Sequence, residues 1–194
     1  MNSNYFTEEH QLFRASLRDF LHKEVVPHIE KWEKTGTIER FIWKKFGEMG
    51  LFGPTIPEKY GAGGLDYIAY GLMMQEVERG DSGLRSMASV QGSLVMYPIY
   101  EYGSEAQKQK YLPKLASGEY LGCFGLTEPD FGSNPAGMKT RIEDKGEYYL
   151  LNGSKMWISN APMADIAVVW AKNEQGRIKG LIVERGMEGF STPE

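Results

Sequence analysis

The sequence predicts an α+β chain of more than one domain: an N-terminal all-α helical bundle over residues 1–118, followed by an antiparallel β-domain over 119–194. Three observations carry this. Apolar residues recur every three to four positions as far as Gly118. Beyond Gly118 the apolar period drops to two, the signature of strands. Two asparagine-led turns, Asn152-Gly153 and Asn173–Gly176, then divide the second part into hairpin-sized pieces.

The helical elements follow in order. Leu12, Phe13, Leu17, Phe20, Leu21 and Val25 form a stripe behind a Thr7 N-cap, and Pro27 interrupts it. Phe41, Ile42, Phe46 and Met49 define a second helix closing at Gly50. A third begins at an Asp66 cap and carries Leu72, Met73, Met74 and Val77 to Gly80. Its methionines suit either a pliable groove or plain core packing, and their helical spacing favours the core. A fourth helix spans about Ser86 to Tyr102 and stops at Gly103. Ser104-x-x-Gln107 matches a capping box for a fifth, which Pro113 disturbs and Gly118 ends.

In the second part, Leu121–Leu126 reads as a short apolar strand. Glu147–Leu151 and Lys155–Ile158 flank Asn152-Gly153 as one hairpin. Ile166–Ala171 and Lys179–Val183 flank Asn173–Gly176 as another. A β-module of about 75 residues is short for a closed barrel or sandwich, so its open edges point to a larger unit.

Composition narrows the function classes. Among 194 residues, 22 Lys and Arg face 26 Asp and Glu, a net charge of −4 that disfavours a nucleic-acid surface. The basic clusters Lys44-Lys45, Lys108 and Lys110 fall within amphipathic helical patterns. The single cysteine, Cys123, precludes an internal disulfide and lies in an apolar run. His10, His22 and His28 all fall in the first helical stretch, and the lone Asp19-x-x-His22 spacing does not make a metal site. No apolar run reaches the roughly 18–20 residues of a membrane span. Met1 leads almost directly into a polar helix, so the expectation is a cytoplasmic protein, or a mitochondrial-matrix one if processed in a eukaryote. Tyr60-Gly61-Ala62-Gly63-Gly64-Leu65 resembles a dinucleotide loop, but no strand precedes it and the third glycine is missing.

The segments 122–133 and 152–160 carry the chemistry. The first ends in Thr127-Glu128-Pro129, whose amides and hydroxyl are free to point outward, and the second sets Trp157 beside Ser159. Donors, hydroxyls and an aromatic wall suit a flat heterocycle with polar edges. Taken alone, Thr-Glu-Pro reads more readily as a plain strand end, and a strand tryptophan more often belongs to a core.

Several segments acting together tip that balance. They are Leu126-Thr127-Glu128-Pro129-x-x-Gly132-Ser133, Trp157-Ile158-Ser159, and Gly83-Leu84-Arg85-Ser86-Met87-Ala88-Ser89-Val90-Gln91. Tyr102-Gly103-Ser104-Glu105-x-Gln107-x-x-Tyr111-Leu112-Pro113, Pro162-Met163-Ala164-Asp165 and Val168-Val169-Trp170-Ala171 extend the match. In this order they resemble the acyl-CoA dehydrogenase family, its glutaryl-CoA dehydrogenase branch in particular. The resemblance covers nearly all of the chain but about half of the family's usual length.

The resemblance implies an N-terminal helical domain, a middle β-domain that is incomplete here, and a C-terminal four-helix domain that is absent. It also implies FAD at their junction, a homotetramer or dimer, and an electron-transfer flavoprotein as acceptor. Phe124, Gly125, Leu126 and Thr127 are implied at the flavin pyrimidine edge. Trp157 and Ile158 would cover the ring, with Ser159 near its reactive nitrogen. Ser133 is implied beside cofactor and acyl-CoA, although Asn134 stands where the family has Asp.

Arg85, with Ser86 beside it, is implied to bind the distal carboxylate of glutaryl-CoA, with Glu78 holding the arginine when substrate is absent. The alternative is a surface arginine paired with Asp81. The implied reaction removes an α-proton to a glutamate while the β-hydrogen leaves as hydride. In the glutaryl branch, decarboxylation to crotonyl-CoA and carbon dioxide follows. That glutamate has no match in 1–194 and is expected beyond Glu194, so no catalytic residue is assigned and the chain alone is expected to be inactive. Two alternatives stand beside this reading. One is a non-catalytic fragment binding acyl-CoA or a flavoprotein, and the other is a dehydrogenase for a non-carboxylated acyl-CoA.

Overall fold

A computed structural model describes residues 6–193, so expectations resting on Met1 or Glu194 lie outside the described residues. The chain divides into two compact units, one ending at Tyr120 and one starting at Leu121.

The first unit is helical: α1 (Glu8–Glu24), α2 (Ile29–Thr35), α3 (Phe41–Glu48), α4 (Tyr67–Gly80), α5 (Ser82–Ser89), α6 (Tyr97–Tyr102) and α7 (Glu105–Ala116). Thr7 caps α1 by accepting the His10 amide at 3.2 Å, and the His10 ring accepts the Thr7 amide in return. Histidine thus occupies the Glu/Gln place of a capping box. The same ring lies 3.2 Å from Asp66, which caps α4 through the Ala69 amide, so the starts of α1 and α4 are tied together. Pro27 ends α1 in one tight turn, and the chain resumes as α2.

Aromatic side chains fill the centre. Trp43, Phe46, Phe52 and Met73 are fully buried, which assigns Met73 of α4 to the core, while Met74 is half-buried. A carboxylate is buried in the same unit: Glu76 on α4 is almost wholly buried and accepts from Arg14 and Arg18 of α1, the latter at 2.7 Å. Burial pushes its pKa up, but the hydrogen bonds of Arg18 and Arg14 outweigh this and leave it below the ordinary carboxylate range.

The expected fourth helix is three pieces. Asp81 caps α5 four residues earlier than the sequence suggests, accepting the Leu84 amide at 2.7 Å. A wide π-helical stretch, Val90–Met96, then leads into α6, with the Tyr97 amide bonded back to the Gly92 carbonyl. Pro98 accounts for the change, because it has no N–H to return to the Leu94 carbonyl. Gly118 closes the unit with φ +72°, and a Cβ there would stand 2.4 Å from the Trp43 carbonyl oxygen.

The second unit is one sheet of β1 (Gly122–Gly125), β2 (Arg141–Asp144), β3 (Tyr149–Asn152), β4 (Ile166–Lys172) and β5 (Ile178–Glu184). The helices-then-strands order is as expected. The sheet, however, is mixed and not antiparallel throughout. β4 runs parallel to β1 from Gly122↔Ile166 to Gly125↔Val169 and antiparallel to β5 along its whole length. The reason is the long excursion over 126–165, which gives the chain room to cross over and return in the same direction.

The hairpin expected around Asn152-Gly153 does not form. Residues 149–152 pair backward with β2, through a turn at Lys145–Tyr148. Gly153 is used instead for close approach: a Cβ there would lie 2.4 Å from Thr140 Oγ1. The second hairpin forms as expected, and Asn173 Oδ1 closes its turn by accepting the Gln175 and Arg177 amides. Cys123, Ala164, Ala167, Val169 and Val183 make the core beneath the sheet. Burial pushes the Cys123 thiol up to about 11, against a smaller downward pull from Arg185, which leaves it unreactive.

Glu76→Ala strands two arginines whose partner was buried. It should lower stability by about 3 kcal/mol in urea denaturation, read as a fall in midpoint at constant m-value.

Candidate functional site

The strand β1 ends at Gly125, and the next three residues leave the sheet. Glu128 turns inward and is only 5% exposed. It accepts the Lys139 amide at 2.6 Å, the Thr140 amide at 3.0 Å, the Thr140 hydroxyl in a short bond, and Lys155 Nζ at 2.9 Å. Lys155 Nζ also donates to the Leu126 carbonyl at 3.0 Å. One residue on, the Met156 amide donates to the Thr127 carbonyl at 2.9 Å. The segments 122–133 and 152–160 therefore meet, fastened by a buried ion pair and a backbone bond.

Burial alone would raise the Glu128 pKa. The Lys139 amide, the Thr140 hydroxyl, Lys155 and the Thr140 amide together outweigh it and hold the carboxyl at about 2. Glu128 is thus a permanent anion with all its capacity taken up internally. It is a fastening, and it is neither acid nor base at neutral pH.

The outer side of this fastening presents the expected residues. Trp157 is 84% exposed at φ +60°, a left-handed conformation that a bulky residue holds only when its surroundings impose it. Asn160 is also left-handed, at φ +69°, and its side-chain amide donates to the Gly122 carbonyl at 3.2 Å. Those two turns fold residues 157–160 back against the start of β1. Thr127 is half-buried and Ser159 exposed. Ile158 packs on the Cys123 core. Phe124 meets Trp170 edge-to-face at 6.0 Å, and the buried Gly125 would place a Cβ 3.4 Å from the Lys155 stem. Ser133 sits exposed on the loop after the Thr-Glu-Pro turn.

Arg85, Ser86 and Glu78 belong to the helical unit. Arg85 Nε donates to Glu78 Oε2 at 2.6 Å, and Ser82 Oγ donates to Glu78 Oε1 at 2.7 Å. These two hydrogen bonds, that of Arg85 first, hold the Glu78 carboxyl below its ordinary range. Asp81 is engaged in capping α5, so the side-chain pairing described for Arg85 is with Glu78.

Residues 7–119 match the acyl-CoA dehydrogenase N-terminal domain, and residues 123–194 match the acyl-CoA dehydrogenase middle domain. The chain belongs to the acyl-CoA dehydrogenase family. Among its relatives, this acyl-CoA dehydrogenase chain is 42% identical over 195 residues to glutaryl-CoA dehydrogenase of Desulfococcus multivorans, covering 96% of this chain and 50% of that one. It is 38% identical over 197 residues to mitochondrial isovaleryl-CoA dehydrogenase of Pongo abelii, covering 97% and 47%. A solved glutaryl-CoA dehydrogenase of Mycobacterium smegmatis in complex with FADH2 superposes with a TM-score of 0.93 at 46% identity, over 96% of this chain and 48% of that one. The chain spans about half the length of the curated relatives it matches.

Lys155, Thr140 and the Lys139 amide are the functional-site components that sequence reasoning missed. Lys155 follows Gly-Ser in a stretch without periodicity, so no pattern marks it as buried. The available hint was Glu128 itself, an acidic residue at the end of an apolar strand.

The Glu128 pKa gives a pH prediction. An unfolded glutamate titrates near 4.3, so its contribution of about 3 kcal/mol is complete above about pH 5, shrinks as pH falls, and is gone below about 2. Glu128→Gln should remove that part of the acid sensitivity, seen as a flatter stability–pH curve between pH 5 and 2 in denaturant titrations.

Proposed function

We propose that this chain supplies the flavin-facing and acyl-facing residues of an FAD-dependent enzyme that dehydrogenates an acyl-CoA thioester between its α and β carbons. The observation that carries the reading is the strip of Thr127, Trp157 and Ser159. It is an exposed indole on strained backbone, two residues before Ser159 and linked to Thr127 through the Met156 amide, behind which lies the Glu128–Lys155 ion pair. A planar, polar-edged ring fits this surface, and the FADH2 held by the Mycobacterium smegmatis neighbour is such a ring. Bound FAD would supply the hydride acceptor.

The chain's own residues do the rest. Thr127 donates to the ring's polar edge, Trp157 covers one face and keeps water from it, and Ser159 donates beside the reacting position. Phe124, Gly125, Leu126 and Ile158 shape the wall, and Ser133 contacts the acyl-CoA. No residue of this chain is assigned as the α-proton base, so residues 1–194 alone should turn over no acyl-CoA. We further propose an electron-transfer flavoprotein as the acceptor. A chain 37% identical to this one belongs to a structure of the electron transferring flavoprotein of Acidaminococcus fermentans, which supports this acceptor.

For the substrate we favour glutaryl-CoA, with decarboxylation following oxidation. Arg85 would exchange Glu78 for the distal carboxylate of the substrate, with Ser86 beside it. The glutaryl-CoA dehydrogenase relatives at 42% and 46% identity support this. A second reading, a non-carboxylated acyl-CoA, draws on the close Arg85–Glu78 pair, which leaves the guanidinium already matched, and on the isovaleryl relative.

In the intact enzyme, Arg85→Ala should lower kcat/KM for glutaryl-CoA about 10- to 100-fold, the worth of a charge-assisted pair. Oxidation of a short unbranched acyl-CoA should change by less than about threefold. Unaltered glutaryl-CoA kinetics would refute the carboxylate role. A visible spectrum of the purified protein tests the cofactor directly. Trp157→Gly relieves about 1–3 kcal/mol of backbone strain, so it should retain or raise Tm while the flavin absorbance copurifying with the protein falls.

A further inference from the structure

The carbonyl of Leu126 and the amide of Thr127 belong to one peptide unit. Peptide bonds among the described residues are trans, so this C=O and N–H point in opposite directions. Lys155 Nζ donates to the carbonyl side at 3.0 Å. A cation there fixes the peptide plane and draws electron density toward the oxygen, which makes the opposite N–H a stronger donor. The next peptide is pinned as well, because the Thr127 carbonyl accepts the Met156 amide at 2.9 Å.

The cation itself has little freedom. The Lys155 side chain is 10% exposed, its stem lies along Gly125, and its ammonium is shared with Glu128 at 2.9 Å. Glu128 is held in turn by the Lys139 and Thr140 amides and the Thr140 hydroxyl. An ion pair buried only to fasten two loops would satisfy the lysine on the carboxylate. This one also spends a donor on the backbone carbonyl directly behind the Thr127 N–H.

We propose that Lys155 is a positioning residue for the flavin: it orients and polarises the Leu126–Thr127 peptide so that the Thr127 amide meets the ring's polar edge as a charge-strengthened donor. This rests on the FAD reading above. Lys155 would act through this peptide and not on substrate or ring directly, since its ammonium is taken up by the Leu126 carbonyl and Glu128. Its effect is greatest when the ring is reduced and electron-rich, because a stronger donor favours negative charge on its acceptor.

The test uses the intact holoprotein, Lys155→Met, and the double variant Lys155→Met/Glu128→Gln. The double variant removes both charges together and so avoids stranding a buried carboxylate. Flavin affinity is read by absorbance titration and the two-electron potential by equilibration with a reference dye, both on the folded, FAD-bearing fraction. The expected result is an FAD dissociation constant about tenfold higher in both variants. A flavin potential more negative than wild type, with KM for the acyl-CoA unchanged, completes the expectation. Variants that lose thermal stability but keep wild-type affinity and potential would reduce Lys155 to a fastening and overturn the proposal. A wild-type protein that binds no FAD would instead sink the functional reading on which the proposal rests.

Discussion

Four donors from two stretches of the chain converge on the Glu128 carboxylate, and they fasten the two segments of the candidate site together. The Lys139 amide and both donors of Thr140 come from the approach to β2, while Lys155 comes from the segment after β3. Beside the anion, these segments share the Met156–Thr127 backbone bond, the Lys155 bond to the Leu126 carbonyl and the Asn160 bond to the Gly122 carbonyl. A buried charge of this kind is unfavourable unless nearly every lone pair is satisfied, and here it is. The same saturation takes Glu128 out of any chemistry and leaves the Thr127 side chain outside the network.

Around this anchor the backbone bends where side chains ordinarily forbid it. Trp157 and Asn160 both lie in the left-handed region, and Asn160 ties its turn to the Gly122 carbonyl. The strain presents the indole to solvent when it might have joined the core beneath. Exposure of so large an apolar ring is unfavourable in water and becomes favourable once a flat partner covers it. The helical unit shows the complementary economy. Its buried carboxylate, Glu76, binds α1 to α4, while the Arg85–Glu78 pair is more exposed.

Much of the fold was legible because its signals are local. The Thr7, Asp66 and Ser104 caps, the Pro27 break and the Asn173 turn each act within a few residues, and each appears where the sequence places it. The failures are non-local. Asn152-Gly153 carries the local signature of a hairpin turn, yet Gly153 is wanted for its lack of a Cβ against Thr140, twelve or more residues away. The π-helical stretch before α6 follows from Pro98 acting on a carbonyl a turn earlier, which periodicity does not register. Lys155 was invisible because nothing near it in sequence marks it as buried.

The sequence by itself determined the succession of a helical unit and a sheet unit, and the family. Repeating apolar periods and short motifs are enough for that, since each is a property of contiguous residues. Only the tertiary structure decided that β1 and β4 run parallel, that residues 149–152 pair with β2, and that of the two carboxylates expected for Arg85 it is Glu78, not Asp81, that pairs with it. It alone revealed Lys155 behind the Thr127 peptide. These are choices among partners distant in the chain, settled by which buried donors and acceptors can all be satisfied at once.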